Sequence, residues 1–304
     1  MTAGSDPILL LHDGTLSLTC TPDAAPLIAG WMPVGLRTSA TAGAADIAVR
    51  IGTNAVRSEG AATLQLLDVV AWVEGDAAQL QHPSGAGGRV DLRARHADIV
   101  LSVNAVDVVE PILTLTAALL IGRSQRALVH AAAVVSPAGD AWLLVGDSHA
   151  GKSSTVATLA LGGWGYLSDD QVVIGEREGR IIAEGWCRRF NLDAGWEEGA
   201  VTGHRVASTV IPSGRVSSPQ RLAGILLPAV SSERPTVLGP ATSADGFEAL
   251  IRQSPWLLAD RSAAPSVVAL LTGVARLPVR RLSLGRDTYH RPDRLVAALA
   301  GVAG

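Results

Sequence analysis

The chain has almost no lysine. Of its 25 Lys and Arg residues, only Lys152 is a lysine, and the other 24 (25 minus 1) are arginine. Arginine stands wherever a surface positive charge suffices, so the single ammonium marks a position where a compact point charge is needed, as among phosphate oxygens. Cysteine is scarce too. Cys20 and Cys187 are too few for a disulfide framework, and their separation gives no metal-ligand spacing. No sign of charge dominates: a net charge of -3 and a pI near 6.2 lack the basic footprint that neutralises phosphates along a duplex, which argues against nucleic acid as a partner. Long apolar runs are also missing. The run Pro111 to Ile121 (PILTLTAALLI) falls short of the roughly 20 residues a bilayer-crossing helix needs. The first residues, MTAGSDPILLLHDG, carry acid rather than base before a short apolar run, which does not fit a secretory signal. The expectation is a cytoplasmic protein with no membrane partner.

What is present is core-forming material. The 304 residues are 48% hydrophobic and 17% charged, with a mean hydropathy of +0.29, enough for one large domain or two modest ones and too apolar for disorder. Residues 1–108 read as a β-rich region, a candidate for substrate or partner binding. Alternating or β-branched segments at Ala45–Gly52, Val69–Gly75, Ala78–His82, Arg89–Ala94 and Asp98–Val103 suggest a meandering antiparallel sheet. The glycines of Pro83–Gly88 have no lysine and no clear helix behind them, so that stretch reads as a hairpin loop. Residues 109–304 read as a second region, of mixed α/β class. It opens with a helix over Val109–Ile121, with Pro111 in its first turn and Gly122 as its stop. Two apolar strands follow, Ala127–Val135 and Ala141–Val145, and the five residues between them suit an antiparallel hairpin. Farther on come a strand from Gly165 to Ile174, a strand at Gly224–Leu227 and a helix over Ala244–Gln253 capped by Thr242 or Ser243. A helix over Ser266–Ala275, a strand at Val279–Leu284 and a helix from Pro292 to about Val302 complete the chain.

The lysine sits in Gly146-Asp147-Ser148-His149-Ala150-Gly151-Lys152-Ser153, which fits G-x-x-x-x-G-K-[ST], with an apolar strand running in and a helical pattern running out. Glycines let backbone N–H groups approach anionic oxygens, and the helix N-terminus adds partial positive charge. Gly146 to Ser154 are therefore candidate nucleotide-binding residues. Lys152 would reach the β- and γ-phosphates, and the Ser153 hydroxyl would ligate Mg²⁺. The second signal is Asp169-Asp170 after the strand, because phosphoryl transfer needs a carboxylate for metal and often another to orient or deprotonate the attacking hydroxyl. Only one helix and one turn separate Lys152 from Asp169, so the acidic strand is the next in the chain. Ordinary mononucleotide kinases and GTPases usually place it later.

Leu128-Val129-His130, the loop GDSHAGKSS and LSDD after the next helix resemble the catalytic domain of the HPr kinase/phosphorylase family, whose fold is akin to phosphoenolpyruvate carboxykinase. The resemblance covers roughly Val109 to the end and is concentrated from His130 to Asp170. Its relatives in peptide-modification clusters, including kinases of lasso peptide precursors, share the β-rich N-terminal region. The resemblance implies that His130 lies beside the catalytic carboxylate and that Asp169 and Asp170 divide the roles of base and metal partner, in an undecided order. Asp170 joins Ser153 as a metal candidate. Two features depart from the pattern. His149 stands where the family commonly has glycine, and the later glycine-rich signature with an acidic metal residue is missing. Glu184 is its only weak substitute and reads better as a surface strand charge. Arg188, Arg189, Arg280 and Arg281 read as ordinary surface cations before they read as phosphate clamps.

These readings imply an ATP- and Mg²⁺-dependent kinase acting on a serine or threonine hydroxyl of a peptide or protein. Another nucleotide could serve as phosphate donor. A small-molecule kinase acting on an amino acid and a non-catalytic nucleotide sensor are the alternatives, and self-association is left open.

Overall fold

Whether a strand pairs parallel or antiparallel depends on how far the chain travels before it returns. In this chain both cases occur in each of two large sheets. The computed structural model describes residues 8–11, 16–31, 37–39, 46–53, 60–103, 106–185, 190–196, 205–207, 214–231 and 235–302. Internal contacts divide the chain into two units, one of residues 1–127 with 255–268 and one of residues 128–254 with 269–304. The fold is mixed α/β, and no helix among the described residues is long and apolar enough to cross a membrane.

In the first unit the elements are β1 (Ile8–Leu11), β2 (Leu16–Cys20), α1 (Ala25–Trp31), β3 (Arg37–Ser39), β4 (Ile47–Ile51), β5 (Leu64–Leu66), β6 (Val69–Glu74), β7 (Ala77–Gln81), β8 (Gly87–Asp91), β9 (His96–Leu101) and α2 (Val106–Gly122). The strands form one sheet in the order β3-β1-β2-β4-β9-β8-β7-β6-β5. The expected antiparallel meander covers β5 to β9. It does not extend across the sheet, because β2 pairs with β4 and β4 with β9 in parallel. The connection between β2 and β4 contains α1, and that between β4 and β9 contains four strands. Both are long enough to carry the chain back to its starting edge.

Helix α2 begins three residues earlier than the sequence suggests, which moves Pro111 from the first turn to the second. The missing N–H there costs one intrahelical bond. Burial of every residue from Val108 to Gly122 except Glu110 offsets that loss. Past its end, Arg123 donates to Asp260 (2.5 Å), Asp76 (2.8 Å) and the Gly75 carbonyl (2.6 Å), tying three distant parts of the unit's sequence together.

The second unit has β10 (Ala127–Val129), β11 (Ala132–Val135), β12 (Ala141–Leu144), α3 (Lys152–Leu161), β13 (Gly165–Ser168), β14 (Val172–Arg177), β15 (Arg180–Gly185), β16 (Asn191–Asp193), β17 (Arg205–Ala207), β18 (Gln220–Val230), β19 (Val237–Pro240) and α4 (Ser243–Arg252). The chain then passes through a 3₁₀ turn at Pro255–Leu258, counted with the first unit, and α5 (Ala264–Ala275), divided between the units after Val268, before β20 (Val279–Leu284), α6 (Pro292–Ala298) and a last 3₁₀ turn at Ala300–Val302 in the second. The sheet runs β10-β14-β15-β18-β12-β11-β13, with β20 joined to β18 and β19 to β20. The long β18 is its axis. It pairs in parallel with β12 and β20 and antiparallel with β15. Helix α3 packs its Val156, Leu159 and Ala160 into a core with Val134, Trp142, Trp164, Leu226 and Leu282.

Two expected strands are interrupted where the site lies. Ala127–Val135 breaks at His130, and Gly165–Ile174 breaks at Asp169 to Gln171. His130, Asp169 and Asp170 are thus among the residues that leave the ladder. Helix α3 ends at Leu161 with Gly162 as its cap residue, and the next residue, Gly163, is left-handed at φ +85°.

Candidate active site

The register of three strands brings the predicted residues to one edge. β11 runs antiparallel to β12 with Ala132 opposite Leu144, so the start of β11 lies where β12 ends. β13 is antiparallel to β11 with Ser168 opposite Ala133, so its end lies there as well. His130 just before β11, the loop after β12 and Asp169-Asp170 after β13 consequently share one side. The parallel strands β18 and β20 end on this side too. Ligands in such sheets bind outside the carboxyl ends of the strands.

A cavity of ≈ 720 Å³ occupies the place, within the range of small-molecule sites. His130, Ser148, His149, Gly151, Lys152, Ser153, Ser154, Asp169 and Asp170 line it. Gly146, Asp147 and Ala150 belong to the same loop but are not among its lining residues. The loop is shaped by left-handed residues at His149 (φ +67°) and Gly151 (φ +94°). Histidine tolerates this region better than most side chains, though at a cost that glycine avoids. A Cβ at Gly151 would stand 2.8 Å from Leu284 Cδ1 and 3.2 Å from Val230 Cγ2, side-chain tips that would have to shift, so the left-handed backbone is the stronger reason for glycine where the loop lies against the ends of β18 and β20.

Lys152 is buried and donates from Nζ to the carbonyls of Gly146 (2.8 Å) and Asp147 (3.2 Å). These acceptors help offset the cost of desolvating the ammonium. Ser153 follows it at the N-terminus of α3, where partial positive charge gathers. Asp169 is 3% exposed. The Asp170 side chain is 26% exposed, and its Oδ1 lies 3.4 Å from His130 Nδ1, whose side chain is 30% exposed. The structure thus brings both aspartates, the histidine and the lysine to one cavity.

Other wall residues carried no signal of their own. Asn191 and Asp193 of β16, Arg286, Thr288 and Tyr289 also line the cavity. Arg286 is indistinguishable in sequence from the chain's other arginines. Its loop is pinned by Thr236, whose hydroxyl accepts from the Gly285 N–H (2.8 Å) and lies 2.7 Å from Thr288 Oγ1. Burial, and secondarily the nearby Asp193 charge, raises the Tyr289 pKa above its ordinary 10.0. Neither Arg280 nor Arg281 lines the cavity. Both are exposed, and Arg281 approaches Asp245 at 3.4 Å. Arg188 and Arg189 lie outside the described residues, as does Cys187.

Glu184 corrects an expectation. It is 5% exposed and so is not a surface charge. It lies on β15, an interior strand between β14 and β18, and it does not line the cavity. Among the described residues no three His, Cys, Asp or Glu side chains group as a metal cage. A hydroxyl and carboxylates opening on one cavity are nevertheless hard oxygen donors of the kind Mg²⁺ takes when it keeps most of its waters.

No protein-family model matches the chain, and no curated protein does. Among solved structures it is similar to the HPr(Ser) kinase/phosphatase from Coxiella burnetii, at 10% identity over 58% of this chain and 99% of that one, with a TM-score of 0.28.

Proposed function

We propose that the chain is a Mg²⁺-dependent kinase that passes the terminal phosphate of ATP, or of another nucleotide, to a serine or threonine hydroxyl of a peptide or protein. One observation carries this reading: a lysine-bearing phosphate loop, a helix N-terminus and a carboxylate-histidine pair open on the same cavity. The resemblance of His130 to Asp170 to the HPr kinase/phosphorylase family supports it, and a ribosomally made precursor peptide is an acceptor of the right kind.

On this reading the loop amides and the start of α3 cradle the phosphates. Lys152 exchanges the carbonyls of Gly146 and Asp147 for the β- and γ-phosphate oxygens. Arg286 supplies the second cation on the wall. Ser153 and Asp169 are the residues that would hold Mg²⁺, which when bound offsets charge on the phosphates. Asp170 is the base, because its carboxylate is the more accessible of the two and stands beside His130. This departs from the sequence expectation, which grouped Asp170 with Ser153 on the metal.

In the transfer, the acceptor hydroxyl gives its proton to Asp170 as its oxygen bonds to the γ-phosphorus, and the bond from that phosphorus to the bridging oxygen breaks to release the nucleoside diphosphate. Catalysis is mostly positioning and charge stabilisation. Mass spectrometry of candidate acceptors incubated with chain, ATP and Mg²⁺ tests this, with a mass gain of one phosphate expected. Lys152→Ala should lower the transfer rate by about a hundredfold or more with the fold retained by circular dichroism. Undiminished transfer by that variant would refute the assignment.

A further inference from the structure

The residue after α4 touches both halves of the site. Gln253 closes the helix with its N–H on the Ala249 carbonyl (3.0 Å), and its own carbonyl accepts from the His130 N–H (2.8 Å). Its side-chain amide donates from Nε2 to Asp147 Oδ1 (2.9 Å). The Asp147 carbonyl in turn accepts from Lys152 Nζ (3.2 Å) and from the Ala150 N–H (3.2 Å). A continuous run of hydrogen bonds therefore leads from the backbone of His130, through Gln253 and Asp147, to the lysine.

Gln253 is suited to such a task because it is 8% exposed, so its amide has little room to turn away. Nothing in the sequence marked it. Asp147, by contrast, is exposed, and without an outside partner its loop would be free to take other shapes. Arg252 adds a longer contact to Asp147 (3.4 Å) but is itself exposed and shared with Glu248 (2.8 Å). Gln253 is the better-placed anchor.

We propose that Gln253 is a positioning residue that fixes the phosphate loop relative to His130, so that the cradle is preorganised before nucleotide arrives. The inference rests on the kinase reading only in taking the loop to be a phosphate cradle. Removing the anchor leaves the loop able to bind but makes the nucleotide order it, which weakens affinity. Because one hydrogen bond joins the two side chains, their substitutions should not add.

The test is a double-mutant cycle on the full chain, reading the dissociation constants of ATP and of inorganic tripolyphosphate, each with Mg²⁺, by calorimetry. Gln253→Leu and Asp147→Ala should each weaken both ligands by about three- to tenfold, the worth of one hydrogen bond to a charged, partly exposed group. The double variant should be no weaker than the poorer single one. Melting temperatures measured alongside separate this from a purely structural role, since coupling should appear in ligand affinity and not merely in stability. Additive losses, or Gln253→Leu binding both ligands like the wild type, would overturn the anchor while leaving the cradle standing. If the wild type bound neither ligand, the cradle itself would fall and the anchor with it.

Discussion

Gly151 shows how closely a single residue is constrained here. Its φ of +94° imposes backbone strain on any side chain, and the 2.8 Å approach of Leu284 Cδ1 to a Cβ position adds a smaller second penalty, since that leucine tip must shift. Gly151→Ala should therefore cost about 2 kcal/mol and weaken nucleotide binding, measurable by urea unfolding and calorimetry. Stability equal to the wild type would mean that the loop can shift off β18 and β20. His149, also left-handed at φ +67°, meets only the first penalty, so a histidine can stand there. The sequence showed both residues to belong to a tight loop. It could not show which of them faces a packed wall.

At the scale of an element, α4 matters because its C-terminal end carries Gln253. Its start is fixed by a capping box: Thr242 Oγ1 accepts from the Asp245 N–H (3.1 Å), and Asp245 Oδ2 accepts from the Thr242 N–H (2.7 Å). Thr242→Ala should cost about 1 kcal/mol. The Asp245 carboxyl is held below its ordinary 3.8, first by the Thr242 hydroxyl and then by the Thr242 N–H. A lowered pKa means that the unfolded chain takes up this proton first as pH falls. The stabilising contribution is thus present above 3.8 and is lost as pH drops through the lowered folded value. Melting curves across the acid range should show that part of the slope disappear in Asp245→Asn. A cap at Thr242 or Ser243 was legible from residue types, and the structure selects Thr242. Neither type nor spacing reveals that the other end of the helix reaches the loop, since Asp147 is 106 residues away in sequence.

For the molecule as a whole, the first unit is completed by a segment from late in the chain, residues 255–268. Arg123 is its clasp, with side chains at Asp76 and Asp260 and the Gly75 carbonyl around one guanidinium. Asp260 is buried, and its hydrogen bond raises the Arg123 pKa further. Arg123→Ala leaves that carboxylate without its cation and should cost about 2 kcal/mol, read by denaturant unfolding. A change within experimental error would mean that the segment is held by apolar packing alone. In sequence Arg123 was one arginine of many, directly after a helix stop. Alternation likewise located five of this unit's nine described strands, β4 and β6 to β9, and the antiparallel reading fails where β2, β4 and β9 pair in parallel, because alternation looks the same in both kinds of pair.

What the sequence determined by itself is local. The pattern G-x-x-x-x-G-K-[ST] lies within eight residues, its lysine is the only one in the chain, and the acidic pair follows one helix later, so short-range sterics and composition suffice to find them. Tertiary structure alone decided that His130 meets Asp170, that Arg286 and Tyr289 face the same cavity, that Glu184 is interior and that Gln253 holds Asp147. Each of these depends on which strands pair and in what register. Such pairing is set by the joint burial of many apolar side chains far apart in the chain, and no short stretch of sequence contains that information.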